Sequence, residues 1–137
     1  MFAILMIIGY GFVGSARALA TEARPQEKVV VTREVPVSTM QGIVTDPTNA
    51  PVPGAEVVVV RAVRKKVSGQ SLWQAGPEIV SAYTSERGAF SFRKLRPGRY
   101  GLLIRKRGFD EMFYPRVLLN RHASKRNSIR ITMELAM

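Results

Sequence analysis

The chain contains no cysteine, and histidine and tryptophan each occur once among its 137 residues. Without cysteine it can form neither a disulfide framework nor a thiolate metal site. Acidic residues are scarce as well, because 10 Asp and Glu stand against 21 Lys and Arg, a formal net charge of +11. This imbalance favours anionic partners such as nucleic acid, anionic lipid head groups or acidic polysaccharide.

Helical periodicity is also missing beyond residue 20, since apolar side chains do not recur there with the spacing of a helical face. The chain is nevertheless 46% hydrophobic, which excludes wholesale disorder. Its length suits one domain. We therefore expect a single domain built from β-strands.

Residues 1–20 stand apart as an apolar run that ends in small residues and Ala18-Leu19-Ala20. This pattern predicts a signal peptide cleaved after Ala20, and hence a secreted or periplasmic protein of the cell envelope. No Lys or Arg precedes the apolar run, however, as a typical signal would require. An uncleaved membrane anchor is therefore the alternative.

Short β-prone runs separated by turn-forming residues make up the rest of the chain. Residues 21–39 predict a linker or an edge strand, because Pro36 cannot donate to a sheet ladder. Residues 64–78 have no clear period and predict a long loop. Over residues 40–137 we expect one seven-stranded antiparallel β-sandwich domain, with strands near 40–46, 55–63, 79–84, 90–95, 100–107, 112–120 and 128–135.

The most informative stretch is residues 84–109, which predicts strand, turn and strand. Residues two apart on a strand point to the same face, so each of its two runs offers an apolar face to a common core. Pro97 and Gly98 suit the tight turn between the runs. The core-facing residues expected here are Phe90, Phe92 and Leu95 before the turn, and Tyr100, Leu102 and Ile104 after it.

Two blocks of sequence carry a family resemblance. They are Gly42-Ile43-Val44-Thr45-Asp46 with Pro51-Val52-Pro53-Gly54-Ala55-Glu56-Val57, and Thr84 with Gly88-Ala89-Phe90, Leu95-Arg96-Pro97-Gly98-Arg99-Tyr100 and Gly108-Phe109. In this order they resemble the carboxypeptidase regulatory-like domain, of the kind that occurs alone in secreted bacterial proteins. The resemblance implies an immunoglobulin-like or transthyretin-like sandwich in which Val44 points inward beside Ala55, Val57 and Val59. The family usually has glycine near position 49, where Asn49 can adopt the same left-handed backbone.

Residues with catalytic or metal-binding chemistry are few. A nucleophile paired with His122 is conceivable, but this lone histidine lies in a basic polar segment and predicts a solvated turn. Asp110 and Glu111 are neighbours, so they do not offer the two separate environments that acid–base catalysis needs. Asp46 with Asn49 lacks the further oxygen ligands of a calcium site. We expect no enzyme, no cofactor and no metal.

Basic residues form three groups, of which two give the candidate ligand-binding set together with Trp73. The rings of Trp73 and Tyr114 could stack on a sugar. If the groups converge at one end of the sandwich, they would bind an anionic polymer; solvated strand ends are the alternative. The candidates are Arg61, Arg64, Lys65, Lys66, Trp73, Arg105, Lys106 and Arg107. The third group is Arg121, Lys125, Arg126 and Arg130.

These observations predict a non-enzymatic secreted module that binds an anionic polysaccharide, lipopolysaccharide or another lipid surface, or an envelope protein. A structural accessory domain of an envelope complex, with no ligand of its own, is the alternative. Nucleic acid is a less suitable partner if the protein is secreted. Salt-sensitive binding would distinguish the first function from the second.

Overall fold

The computed structural model describes residues 28–122 and 128–137. The predictions for residues 1–20, and for Lys125 and Arg126, lie outside these residues. The described part of the chain is all-β and contains no helix of the length and apolarity needed to cross a membrane.

The described residues form nine strands. Their bounds are β1 Lys28–Val30, β2 Val35–Val37, β3 Met40–Thr45, β4 Glu56–Val67, β5 Gln70–Tyr83, β6 Ala89–Phe92, β7 Gly98–Arg105, β8 Glu111–Leu119 and β9 Ile129–Thr132. The seven expected strands are all present, and β1 and β2 are two additional short ones within the segment predicted as a linker or edge strand.

The strands build two sheets, which confirms the β-sandwich. The smaller sheet has the order β9-β3-β6, and the larger has the order β1-β8-β7-β4-β5, with β2 also paired to β8. Strand β9 runs parallel to β3, and both β1 and β2 run parallel to β8. Pairing is therefore antiparallel in the interior of the larger sheet but parallel at these edges, in contrast to the wholly antiparallel sandwich that we expected.

The two runs of residues 84–109 do face a common core, but from different sheets. Strand β6 pairs with β3, whereas β7 pairs with β4 and β8. The turn at Pro97 and Gly98 thus carries the chain from one sheet to the other. The Tyr100 hydroxyl donates to the Arg96 carbonyl oxygen at 2.6 Å, which fixes this crossing.

The main core lies between the sheets and is lined by alternate residues of each strand. Val44, Ala55, Val57 and Val59 are all fully buried there, as expected. Their neighbours include Met40, Phe90, Tyr100, Leu102, Ile104, Val117, Ile129, Ile131 and Met133. Burial of this apolar surface is the main source of the stability of the sandwich.

One buried polar side chain joins the ends of β4 and β5. The Thr84 hydroxyl donates to the Val52 carbonyl oxygen at 2.6 Å and accepts from the Ala55 N–H at 2.8 Å. These two groups would otherwise be unpaired in a dry environment, which costs more than a hydrogen bond gains. Thr84 therefore fixes the entry of the chain into β4.

The prediction of a long loop at residues 64–78 is wrong. Strands β4 and β5 continue through it as a paired hairpin from Ala62 opposite Ala75 to Val67 opposite Gln70. Ser68 and Gly69 close the hairpin with φ of 52° and 81°, the left-handed pair that a two-residue hairpin turn requires. We call residues 61–76 the arm, because β7 pairs with β4 only as far as Val60.

The larger sheet curls so that the arm approaches β8. Flat sheets would keep β5 and β8 about 14 Å apart, since two other strands lie between them. Cα atoms of the two strands instead come within 8 Å of each other. Register shifts beside Val60 accompany the bend, as β-bulges do. Gly76 allows a close backbone approach here, since a Cβ atom would lie 2.6 Å from the Arg61 carbonyl oxygen.

The curl encloses a second, smaller apolar cluster on the outer face of the sheet. Val58, Val60, Leu103 and Phe113 are buried in it, although their side chains point away from the main core. Ala62, Trp73 and Ala75 of the arm pack against this cluster. The tryptophan is thus placed on the concave outer face, above the middle of the sheet.

Candidate functional site

A cavity of about 420 Å³ lies on the concave outer face, between the arm and the strands β7 and β8. Four arginines surround it, and we call it the arginine cleft. Its lining residues are Glu34, Arg61, Ala62, Arg64, Trp73, Arg99, Tyr100, Pro115 and Arg116. A cavity of this size is in the range of small-molecule sites or of one or two units of a polymer.

Strand alternation explains why arginines reach this face. Tyr100 and Leu102 point into the main core, so their neighbour Arg99 points outward. On β4 a register shift between Val60 and Ala62 interrupts the simple alternation, and both Arg61 and Arg64 line the cleft. A comparable shift where β8 passes β7 accompanies the exposure of Arg116 on the same side.

Trp73 holds one of these arginines in place. The Arg64 guanidinium carbon lies 5.0 Å from the centroid of the indole ring. The two residues are directly opposite each other on β4 and β5. A guanidinium over an indole face is attracted by the ring quadrupole, and this contact reduces the freedom of the long side chain. Arg64 is therefore presented to the cleft partly pre-organised.

The arginines of the cleft are not neutralised by the protein. Within the described residues, Arg61, Arg99 and Arg116 form no ion pair, and Glu34 is the one carboxylate lining the cavity. Guanidinium groups fit phosphate, sulfate and carboxylate oxygens through paired N–H donors. Unpaired cations around one concavity raise the local concentration of anions, so the cleft is suited chemically to an anionic group.

The candidate ligand-binding set divides between the two ends of the sheet. Arg61, Arg64 and Trp73 come together in the cleft, whereas Lys65 and Lys66 are exposed farther along the arm and do not line it. Residues 105–107 lie at the opposite end, because Arg105 is opposite Glu56 at the start of β4. Arg61 is five positions farther along β4, about 17 Å at the usual rise of a strand. These two groups therefore do not converge at one end of the sandwich.

The basic group at residues 105–107 has a different environment from the cleft. The Arg105 Nε donates to Glu56 Oε1 at 2.7 Å, and this hydrogen bond raises the pKa of the guanidinium above its ordinary value. The shallow concavity here, of about 800 Å³, is lined by Glu56 and Glu111 as well as by the three basic side chains. Acidic neighbours weaken it as an anion site.

The remaining basic group and the second aromatic candidate also lie elsewhere. Arg121 lines a separate concavity beside Met40 and Leu119, and Arg130 belongs to the smaller sheet. Tyr114 packs against the main core, and burial raises the pKa of its hydroxyl. It therefore cannot supply the stacking surface that we considered together with Trp73.

Three charged residues of the cleft were not predicted as site residues: Glu34, Arg99 and Arg116. For Arg99 a signal exists, because it directly precedes a residue expected in the core and must therefore point outward. For Arg116 and Glu34 no comparable signal exists, since their place depends on which strands are neighbours and on the parallel pairing of β2 with β8.

His122 and Asp46, two of the residues considered for catalysis or metal binding, occupy ordinary turns, whereas Glu111 begins β8. His122 is exposed, and its backbone N–H donates to Asn120 Oδ1 at 2.9 Å. Asp46 Oδ1 accepts from the Thr48 N–H and hydroxyl and from the Ala50 N–H. Among the described residues, no three His, Asp or Glu side chains are grouped as a metal ion would need.

The fold places the chain in the class of two-sheet β-sandwich modules. The family model of the carboxypeptidase regulatory-like domain matches residues 39–134. The chain belongs to this family, whose domain is a non-catalytic module, and the resemblance in the two sequence blocks is thereby confirmed. A search of curated proteins returned no match.

Proposed function

We propose that the protein is a non-enzymatic interaction module of the cell envelope that binds an anionic polymer, such as an acidic polysaccharide or lipopolysaccharide, in the arginine cleft. The observation that carries this proposal is the cleft itself: four arginines that have no carboxylate partner among the described residues, beside one indole ring, around a single concavity. The family adds that the domain is non-catalytic.

The cleft suits a polymer because its charges lie on several strands. Arg61 and Arg64 lie on one side of it on β4, whereas Arg99 and Arg116 lie on β7 and β8. Repeating anionic groups can meet several guanidinium groups in succession, while Trp73 offers an apolar face to a sugar ring. The envelope location rests on the apolar run of residues 1–20 and its Ala18-Leu19-Ala20 ending.

A pair of variants with equal charge loss tests the site. Arg99→Gln with Arg116→Gln removes two cations from the cleft, and Lys106→Gln with Arg107→Gln removes two from the opposite end. We expect the first pair to weaken binding to lipopolysaccharide or heparin by roughly tenfold and to lower the salt dependence of binding by about two charges. The second pair should bind nearly as wild type does.

Isothermal titration or retention on immobilised polymer across a salt gradient measures both effects. Equal weakening by the two pairs would refute the cleft and indicate a diffuse charge effect. Absence of binding by the wild-type chain would refute the proposal and favour the alternative of a structural accessory domain.

A further inference from the structure

The face of the arm that points away from the arginine cleft carries an unusual group of exposed residues. Residues opposite each other in the hairpin share a face, and Lys65 is opposite Leu72, Val63 opposite Gln74 and Val67 opposite Gln70. Val63, Val67 and Leu72 are 39%, 45% and 44% exposed. Leu72 is the diagonal neighbour of both valines, so the three side chains form one patch, which we call the arm patch.

The arm that carries the patch is strongly basic. Residues 57–77 contain no Asp or Glu, whereas the arm has four cationic side chains, Arg61, Arg64, Lys65 and Lys66. Lys65 is in the patch itself, opposite Leu72. Apolar side chains exposed next to several cations are energetically expensive for a purely solvated surface, because they gain nothing from water and do not assist solubility.

From this arrangement we propose that the arm patch docks onto a lipid bilayer surface rich in anionic head groups. Val63, Val67 and Leu72 enter the boundary between head groups and acyl chains, while Lys65 of the patch and the adjacent exposed Lys66 contact lipid phosphates. This surface is on the opposite face of the hairpin from the arginine cleft, so the inference goes beyond the proposed function and does not depend on it.

The two components match what stable surface binding requires. A small apolar insertion gives weak, reversible membrane binding by itself, and so does a small basic cluster, but together they give a stable attachment. Charge complementarity selects this occupant over a second copy of the chain. Two copies meeting at their arm patches would bring their cationic side chains together, and each chain carries a formal net charge of +11.

The only tryptophan of the chain gives a readout, because Trp73 follows Leu72 on the two-stranded arm and approaches the bilayer when the patch inserts, although its ring is on the cleft face of the hairpin. Full-length protein is mixed with vesicles of phosphatidylglycerol and phosphatidylcholine that contain brominated acyl chains, which quench indole fluorescence on close approach. We expect quenching of Trp73 with these vesicles, a decrease of quenching as salt rises, and little quenching with phosphatidylcholine alone. Because Trp73 also lines the arginine cleft, lipid bound in the cleft could quench it too, and variants of the patch distinguish the two sites.

Matched serine substitutions decide whether the patch is responsible. Val67→Ser with Leu72→Ser should raise the lipid concentration needed for half-maximal quenching by roughly fivefold or more. The control is Ile79→Ser, on the same strand but off the arm, where the side chain is 40% exposed; it should behave as wild type does. Far-ultraviolet circular dichroism checks that each variant keeps its strands.

Three results would overturn the proposal: no quenching of the wild-type protein by anionic vesicles, equal quenching of the double-serine variant, or quenching that does not depend on anionic lipid. Self-association in the absence of lipid that the double-serine variant abolishes would also overturn it, in favour of an interface between copies. Failure of polymer binding to the arginine cleft leaves these readouts unaffected, so the two proposals fail separately.

Discussion

Strand β4 serves two regions of the molecule in different ways. From Val57 to Val60 its side chains are buried on both faces, in the main core and in the outer cluster. Beyond Arg61 it becomes part of the arm, where it is paired only with β5 and is mostly exposed. We call the two sheets without the arm the body. The body is therefore stabilised by burial of apolar side chains, and the arm by hairpin pairing and a few contacts with the outer face. The difference indicates that the body carries the stability of the domain, while the arm carries its surface chemistry.

Truncating a leucine in each region should separate them most clearly. Leu102 is fully buried in the main core, so Leu102→Ala should lower the free energy of unfolding by about 2–5 kcal/mol. Leu72 of the arm is 44% exposed, and Leu72→Ala should cost less than about 1 kcal/mol. Urea denaturation followed by circular dichroism measures both. Similar losses in the free energy of unfolding would mean that the arm is part of the cooperative core, and the body and the arm would not differ in stability.

Removing one polar contact from each region should give a second, smaller difference in the free energy of unfolding. Thr84→Val keeps the shape of the buried side chain but leaves the Val52 carbonyl and the Ala55 N–H without their partner, at a cost of about 1–3 kcal/mol. Arg64→Gln removes the contact with Trp73, and an exposed cation–π contact contributes only about 0.5–1 kcal/mol.

The control for the buried contact is Thr132→Val, since Thr132 is exposed on β9. Its free energy of unfolding should stay close to that of the wild-type protein. A loss for Thr132→Val as large as that for Thr84→Val would show that the hydroxyl of Thr84 has no special role.

The sequence predicted the body well and the arm poorly for a physical reason. In the body, apolar side chains alternate along strands such as β3 and β9, because each of these strands has one face in the main core. On the arm, neither face is continuously buried, so Arg64, Trp73 and Gln74 leave no period to detect. What forms strands there is pairing between β4 and β5 and a left-handed turn at Ser68 and Gly69.

The site was predicted only in part for a related reason. Arg61, Arg64 and Trp73 are close in sequence and share the hairpin, so grouping basic and aromatic residues along the chain found them. Arg99 and Arg116 reach the same cleft through the order β8-β7-β4 and the curl of the sheet. Residues 105–107 were grouped with Arg61 because both are basic, but antiparallel pairing sends them to the other end.

The smallest expected effect is a difference in how pH changes the stability contributed by one turn in the body and one turn in the arm. In the body, hydrogen bonds from the Thr48 hydroxyl and the Ala50 N–H lower the pKa of Asp46 below its ordinary value of 3.8. This exposed carboxylate fixes the turn in which Asn49 has a φ of 73°. In the arm, the turn at Ser68 and Gly69 depends on backbone conformation, and neither residue titrates.

Because the pKa of Asp46 is lower in the folded state than in the unfolded state, its contribution to stability is present above the unfolded pKa and is lost as pH falls through the folded pKa. The difference in the free energy of unfolding between wild type and Asp46→Asn should therefore be constant above about pH 5 and shrink below it. For Gly69→Ala, which strains a φ of 81° in the arm, the difference from wild type should be independent of pH. Urea titrations at a series of pH values measure both differences. If the Asp46→Asn difference persisted unchanged into acid, the hydrogen bonds of the carboxylate would not stabilise the body turn, and the two turns would be held by the same backbone preferences.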